Sequence, residues 1–246
     1  MPDLPQTAPG ATRSPRQKPQ TGFSWRIYGS ATLAGLAVLI PVPFVDAALE
    51  LFFRRRMAID IARYNNRTLP PSSAAMLSQA NPNWVAGCLL LPFRAVLYLF
   101  KDIFRTVLYA LTVADATERV SEYWYRAFLI NYAIQRGDID APDGARVASA
   151  AIRDTLKGVT TSPLRQLAQE LISRGRGQFA RLRTFIPFVR NRDRRPDQDV
   201  EDEIKTAWAD LEGYLVSVAV RYDDAFDQQR AEADARASEL LQAGRQ

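Results

Sequence analysis

The chain has 246 residues, and 47% of them are hydrophobic, which is enough to build a sizeable buried core. It contains no histidine and one cysteine, Cys88, which excludes internal disulfides, Cys and His zinc sites, and any mechanism with an imidazole base. The net charge of +5 is unevenly distributed, because residues 197–246 hold 13 acidic and 5 basic residues while the remainder is strongly basic. A basic body of this kind suits an anionic partner, either lipid or nucleic acid.

Residues 1–22 are predicted to be a disordered arm. They combine polar and basic residues with too little apolar surface to offset the entropy of ordering. Their five prolines are Pro2, Pro5, Pro9, Pro15 and Pro19.

A charge-free run follows at residues 27–45, and it is the strongest feature of the sequence. Its 19 residues approach the roughly 20 that a helix needs to cross a bilayer. Pro41 and Pro43, however, interrupt the run after about 14 helix-compatible residues, which disfavours a straight spanning helix.

The two prolines instead predict a sharp bend in a re-entrant hairpin, in which residues 27–40 enter a membrane and residues 44–53 return from it. Basic residues on both flanks fit both ends remaining on the cytoplasmic side. A cleaved signal peptide fits less well, because the leader is long and polar and the run contains prolines. The residues predicted to shape and anchor the hairpin are Trp25, Pro41, Pro43 and Phe44.

A charged ladder lies directly behind the bend, because Asp46, Glu50 and Arg54 are spaced four residues apart. Acidic side chains at membrane depth are costly and often act as proton or ion relays. The favoured interpretation is a self-neutralising stripe that faces solvent or another helix. Carboxylates in this arrangement do not by themselves predict a metal site or an acid/base pair.

Helical periodicity continues through residues 47–64, and residues 70–73 are predicted to form a loop. A second apolar segment, residues 84–114, opens with Trp84 as a further interfacial anchor. Its pattern predicts an amphipathic helix lying in the membrane interface or, alternatively, a core helix of a soluble bundle. The basic stripe of this helix consists of Arg94, Lys101 and Arg105.

No segment shows sustained strand alternation, so the predicted fold class is an all-α helical bundle with an apolar helical hairpin and a long C-terminal amphipathic helix. Trp124 and Trp208 lie at helical core spacing and are predicted to be packing residues. The remaining helices are predicted at residues 117–136, 142–157, 162–175 and 200–242. The seam predicted along the last helix consists of Ile204, Trp208, Leu211, Leu215, Val218 and Tyr222.

A polybasic segment lies at residues 174–195, where eight arginines and one acidic residue are interleaved with aromatic residues. Such a segment suits an anionic leaflet, where each cation near the surface contributes about 1 kcal/mol. The alternatives are nucleic-acid phosphates, a solvated face, or pairing with the acidic C-terminal helix. The charge-free run, which nucleic-acid binding does not require, favours lipid. The residues expected to bind headgroups are Arg190, Arg192, Arg194 and Arg195.

The motif Ile40-Pro41-Val42-Pro43-Phe44-Val45-Asp46, followed by an arginine-bearing helix, resembles a bacterial domain of unknown function. That domain is a short membrane-associated helical unit often attached to Era-like GTPases, and the likeness covers about 40 residues. The chain contains no Gly-rich loop ending in Gly-Lys-Ser or Gly-Lys-Thr, so the GTPase half is missing. The resemblance implies a membrane-associated helical unit and adds no catalytic residue.

These features predict a non-enzymatic, membrane-associated helical protein at the cytoplasmic face of a membrane, with anionic lipid as its partner and no cofactor. Residues 23–196 form the predicted membrane-associated domain, and residues 197–246 form an acidic helix that is a candidate contact for a protein partner. The runner-up is a soluble helical scaffold whose apolar segments are core. A third hypothesis, a small transporter or channel component using Asp46 and Glu50, requires at least two true membrane spans.

Overall fold

The computed structural model describes residues 18–39, 45–78, 105–159, 162–179 and 198–243. Within these ranges the chain forms eight α-helices and one short 3-10 helix, Ala37–Leu39, and no β-strand, which confirms the predicted all-α bundle. The helices are α1 (Trp25–Leu36), α2 (Val45–Tyr64), α3 (Pro71–Leu77), α4 (Arg105–Arg136), α5 (Gly144–Lys157), α6 (Ser162–Phe179), α7 (Gln198–Ala209) and α8 (Glu212–Ala243).

Helices α1 and α2 form the predicted apolar hairpin, and α1 packs against both α2 and α4. The side chains of Tyr28, Ala31 and Ala34 are completely buried in this position. Gly35 permits the close approach of α1 to α4, because a Cβ atom added there would lie 2.6 Å from the Cα atom of Val120. Half of the charge-free run is therefore part of the protein core.

Helix α4 is the central element of the bundle and is apolar on nearly all sides between residues 123 and 134. It contacts α1, α2, α5 and α6, so its complete burial follows from being surrounded. The predicted end at Gly137 is confirmed, since this glycine adopts a left-handed φ of 75° after the last turn. The helix begins at Arg105 rather than at the predicted residue 117.

Three other predictions of helix boundaries were wrong. The predicted loop at residues 70–73 contains the start of α3, because Pro71 occupies a first-turn position where proline is favourable. Helix α6 continues past Gly175 and Gly177 to Phe179, since each interior glycine costs only about 1 kcal/mol. The predicted last helix is divided into α7 and α8 between Ala209 and Glu212.

The predicted seam nevertheless continues across the break between α7 and α8. Ile204 and Trp208 on α7, and Leu215, Val218 and Tyr222 on α8, are all buried. Leu211, at the break itself, is partly buried against the same core. Trp124 and Trp208 are both core residues as predicted, with ring centroids 5.5 Å apart.

The end of the predicted disordered arm packs on this core. The indole nitrogen of Trp208 donates a hydrogen bond of 2.6 Å to the carbonyl oxygen of Thr21, which is buried. The ring of Phe23 stacks on Tyr28 at 5.3 Å between centroids. Among residues 18–22, Thr21 therefore contacts α7, and Gln20 contacts α4 by accepting a hydrogen bond of 2.9 Å from Gln135, while residues 1–17 lie outside the described ranges.

Candidate functional site

The structure describes only part of the residues predicted to contact lipid. Trp25 begins α1 and is half-buried, with its ring 6.3 Å from that of Phe23. Asp46 and Arg105 belong to α2 and α4, but their side chains are not among the described ones. The predicted residues that lie outside the described ranges are Pro41, Pro43, Phe44, Trp84, Arg94, Lys101, Arg190, Arg192, Arg194 and Arg195.

The described members of the charged ladder face another helix. Glu50 accepts a hydrogen bond of 2.8 Å from Arg119 on α4 and a second from the hydroxyl of Tyr123. Arg54 lies 3.3 Å from the Glu50 carboxylate and also donates to the carbonyl oxygen of Ser78 at 3.3 Å. The side chains of Glu50 and Arg54 are only 17% and 14% exposed. This network of ion pairs and hydrogen bonds holds α2 against α4.

Burial determines the protonation of the groups around this network. It raises the pKa of the Tyr123 hydroxyl far above its usual value, an effect that nearby Arg54 opposes and Glu50 reinforces. It also lowers the pKa of Arg126, whose partner Glu122 acts in the opposite direction. Because arginine side chains stay protonated in proteins, the network consists of ion pairs and a neutral tyrosine, which is a structural arrangement.

A second buried ionic cluster, which the sequence did not predict, connects the end of α4 to α8. Arg136 pairs with Asp223 and lies 3.7 Å from the carboxylate of Asp138. The hydroxyl of Tyr132 donates to Asp223 at 3.2 Å, and that of Tyr222 donates to Asp138 at 3.1 Å. Tyr222 was predicted only as a seam residue, and its polar end satisfies a buried carboxylate. The cluster therefore determines how α8 docks on α4.

The outward side of α2 is the most distinctive surface among the described residues. Leu51 and Phe52 are 48% and 46% exposed, although both are large and apolar. They lie on the same side of the helix as Arg55 and Arg56, which follow them by one helical turn. We define this basic-apolar face by Ala48, Leu51, Phe52, Arg55, Arg56, Ile59 and Arg63, which line a shallow depression of about 510 Å³ together with Asp60.

The cations of the basic-apolar face are largely available. Arg55 and Arg63 are exposed and form no ion pair with any described residue. Arg56 pairs with Asp60 at 3.2 Å and lies 6.0 Å from the centroid of the Phe52 ring. The hydroxyl of Ser30 also donates to Asp60, at 2.8 Å. Two free guanidinium groups therefore flank two exposed apolar side chains.

A second exposed surface is the tail of α8, which we define as residues 234–243. All ten residues are exposed, whereas the preceding part of α8 packs along α5. Leu240 and Leu241 are 74% and 68% exposed, more than any other large hydrophobic residue among the described ones. Glu239 beside them forms no ion pair with a described residue.

In the described part of the chain, no helix combines the length and apolar character that crossing a membrane requires. The same residues contain no group of three or more His, Cys, Asp or Glu side chains arranged to hold a metal ion. Comparisons with protein-family profiles, with curated proteins and with solved structures found no match. The resemblance to a membrane-associated bacterial domain therefore stays a prediction.

Proposed function

We propose that this protein is a non-enzymatic helical protein that binds the anionic surface of a membrane, at the cytoplasmic face, through the basic-apolar face of α2. The observation that carries the proposal is the exposure of Leu51 and Phe52 beside the unpaired guanidinium groups of Arg55 and Arg63. Apolar side chains enter the boundary between headgroups and acyl chains, while arginines bind lipid phosphates.

The proposal differs from insertion of the whole hairpin. The apolar side of α1 is already packed against α2 and α4, so moving α1 into lipid would exchange one apolar environment for another and separate these helices. The outward side of α2, in contrast, leaves Leu51 and Phe52 exposed among the described residues. Contact through α2 alone is a peripheral mode of binding that leaves the bundle intact.

The expected affinity is modest and reversible. Each of Leu51 and Phe52 still exposes about half of its surface, so its transfer into lipid stabilises the complex by about 1 kcal/mol. Arg55 and Arg63 each add about 1 kcal/mol near an anionic leaflet, and salt screens this part. The total of about 4 kcal/mol describes a protein that binds and leaves a surface rather than one that is anchored. The polybasic segment at residues 174–195 is expected to add to it.

Vesicle binding tests the proposal. We expect the full chain to co-sediment with vesicles containing anionic lipid at low ionic strength and much less with neutral vesicles. Combining Leu51→Gln with Phe52→Gln should weaken binding about 30-fold, and combining Arg55→Gln with Arg63→Gln should weaken it by a similar factor. The effect of the arginine substitutions should shrink as salt is added, whereas that of the apolar substitutions should not.

Matched variants on other surfaces serve as controls. Val220→Gln changes an apolar residue with 50% exposure on α8, and Arg153→Gln with Arg165→Gln removes two exposed cations from α5 and α6. These variants should bind vesicles like the unmodified chain, apart from the small loss of net charge. Equal losses in the control and test variants would mean that no specific face binds lipid. Equal binding to anionic vesicles and single-stranded DNA would favour nucleic acid instead.

A soluble helical scaffold is the second candidate function. It is favoured by the burial of α1, because the most apolar part of the predicted hairpin is satisfied within the protein. The two candidates differ in one measurement. A scaffold is recovered entirely in the soluble fraction at low salt and does not bind anionic vesicles, whereas the proposed membrane-binding protein partitions to them.

A further inference from the structure

We propose that the tail of α8 binds the basic-apolar face of α2 on a second copy of this chain, so that copies associate head to tail. This inference goes beyond lipid binding and does not depend on it. It assigns an occupant to two of the surfaces where large apolar side chains of the described residues are exposed. The face lies opposite the buried side of α2, and the tail continues a helix whose preceding part packs along α5.

The two surfaces are complementary in charge and apolar character. The tail presents Leu240 and Leu241 next to the unpaired carboxylate of Glu239. The face presents Leu51 and Phe52 next to unpaired guanidinium groups. Two ion pairs join the tail to the preceding turn of α8: Asp234 lies 3.5 Å from Arg230, and Arg236 lies 3.2 Å from Glu232. The charge of the tail that is left unpaired is therefore the carboxylate of Glu239. Contact would bury apolar groups on both sides and pair opposite charges.

The tail is also short enough to lie along the face. Ten helical residues of the tail extend about 15 Å, and the face extends about 22 Å along α2 from residue 48 to residue 63, so one tail can cover most of it. An exposed polar helix of this length gains little stability in isolation, because most helical stability in proteins comes from packing an apolar side. Docking against α2 of another copy supplies the missing packing.

The association must be heterologous, since the tail and the face are different surfaces of the same molecule. Each copy carries one tail and one face. A head-to-tail complex therefore has a free tail at one end and a free face at the other, where further copies can bind. The contact is small, and interfaces below about 1,200 Å² belong to weak, transient complexes. We therefore expect assemblies that grow with protein concentration and dissociate on dilution.

Mixing two variants tests this arrangement. The face variant combines Leu51→Gln with Phe52→Gln, and the tail variant combines Leu240→Gln with Leu241→Gln. Sedimentation equilibrium without lipid, at low ionic strength and protein concentrations up to several hundred micromolar, measures their masses. We expect the unmodified chain to exceed the mass of a monomer progressively and each variant to associate about 100-fold more weakly. An equimolar mixture should form a complex of two chains and no larger species, because it contains one intact tail and one intact face.

Three outcomes would overturn the proposal: an unmodified chain that stays monomeric over this range, a face variant that still associates through its tails, or a mixture that stays monomeric although the unmodified chain associates. A charge exchange provides an independent check. Glu239→Arg alone should weaken association, and so should Arg55→Glu combined with Arg63→Glu. A chain with all three substitutions should recover part of this loss, because the charges of the tail and the face are again opposite. Circular dichroism must show unchanged helicity for every variant. Because vesicles are omitted, failure here leaves the lipid-binding measurement unaffected.

Discussion

The crossing of α1 over α4 makes a sharp prediction about Gly35. A Cβ atom at this position would lie 2.5 Å from Val120 Cγ2 and 2.6 Å from the Cα and backbone nitrogen of the same residue. Ordinary carbon–carbon contacts are about 3.5–4.0 Å, so Gly35→Ala requires α1 to move away from α4 by about 1 Å. Backbone atoms cannot escape by changing rotamer, so the helices themselves must separate.

The expected loss of stability follows from two opposing effects. Overpacking a core typically costs about 1–3 kcal/mol, and contact with backbone atoms corresponds to the upper end of this range. Replacing a helical glycine by alanine regains about 1 kcal/mol of helix propensity. The net destabilisation is therefore about 2 kcal/mol, which lowers the melting temperature of a chain of this size by about 4–8 °C.

Gly213→Ala provides the matched control. Gly213 lies in the first turn of α8, and a Cβ atom added there would have no neighbour within 4 Å. Only the gain in helix propensity remains, so this variant should be more stable by up to about 1 kcal/mol. Thermal and urea denaturation, both followed by circular dichroism, measure the two changes, which are expected to have opposite signs.

The result that would refute the reasoning is a Gly35→Ala protein that is as stable as the unmodified chain, or more stable. It would mean that α1 and α4 are not in close contact in solution. The apolar side of α1 would then be available to a membrane, as the re-entrant hairpin predicted from the sequence requires. A clear loss of stability, with Gly213→Ala unchanged or stabilised, supports the packed arrangement.

Three other predictions concern buried polar groups. Asp223→Asn leaves its arginine partner poorly compensated and should cost about 3 kcal/mol in urea denaturation, whereas Asp224→Asn, at an exposed position, should be neutral. Thr32→Val removes the acceptor of the 2.8 Å hydrogen bond from the Trp124 indole and should cost about 1–3 kcal/mol, while an unchanged urea midpoint would refute this role. Burial raises the pKa of Tyr28 above the usual 10.0, so the unfolded chain ionises first and the fold loses stability as pH rises past that value. Tyrosinate absorbance from this residue should appear only together with loss of helicity.

Much of the fold follows from local rules that the sequence expresses directly. The all-α class follows from apolar periodicity, and the end of α4 at Gly137 follows from a glycine that adopts the left-handed conformation. The seam that includes Trp208 was predictable because its spacing keeps apolar residues on one side of a helix. These features depend only on residues close together in the chain, so they can be predicted without knowing how the rest of the chain folds.

The sequence alone could not determine the surroundings of the apolar residues. Hydropathy measures the tendency to leave water, and a protein core and a lipid bilayer satisfy that tendency equally well. Only the packing of α1 between α2 and α4 places Tyr28 inside the protein and leaves Leu51 and Phe52 on its surface. Similarly, the pairing of Arg136 with Asp223 joins residues far apart in the chain, and only the tertiary structure brings them together.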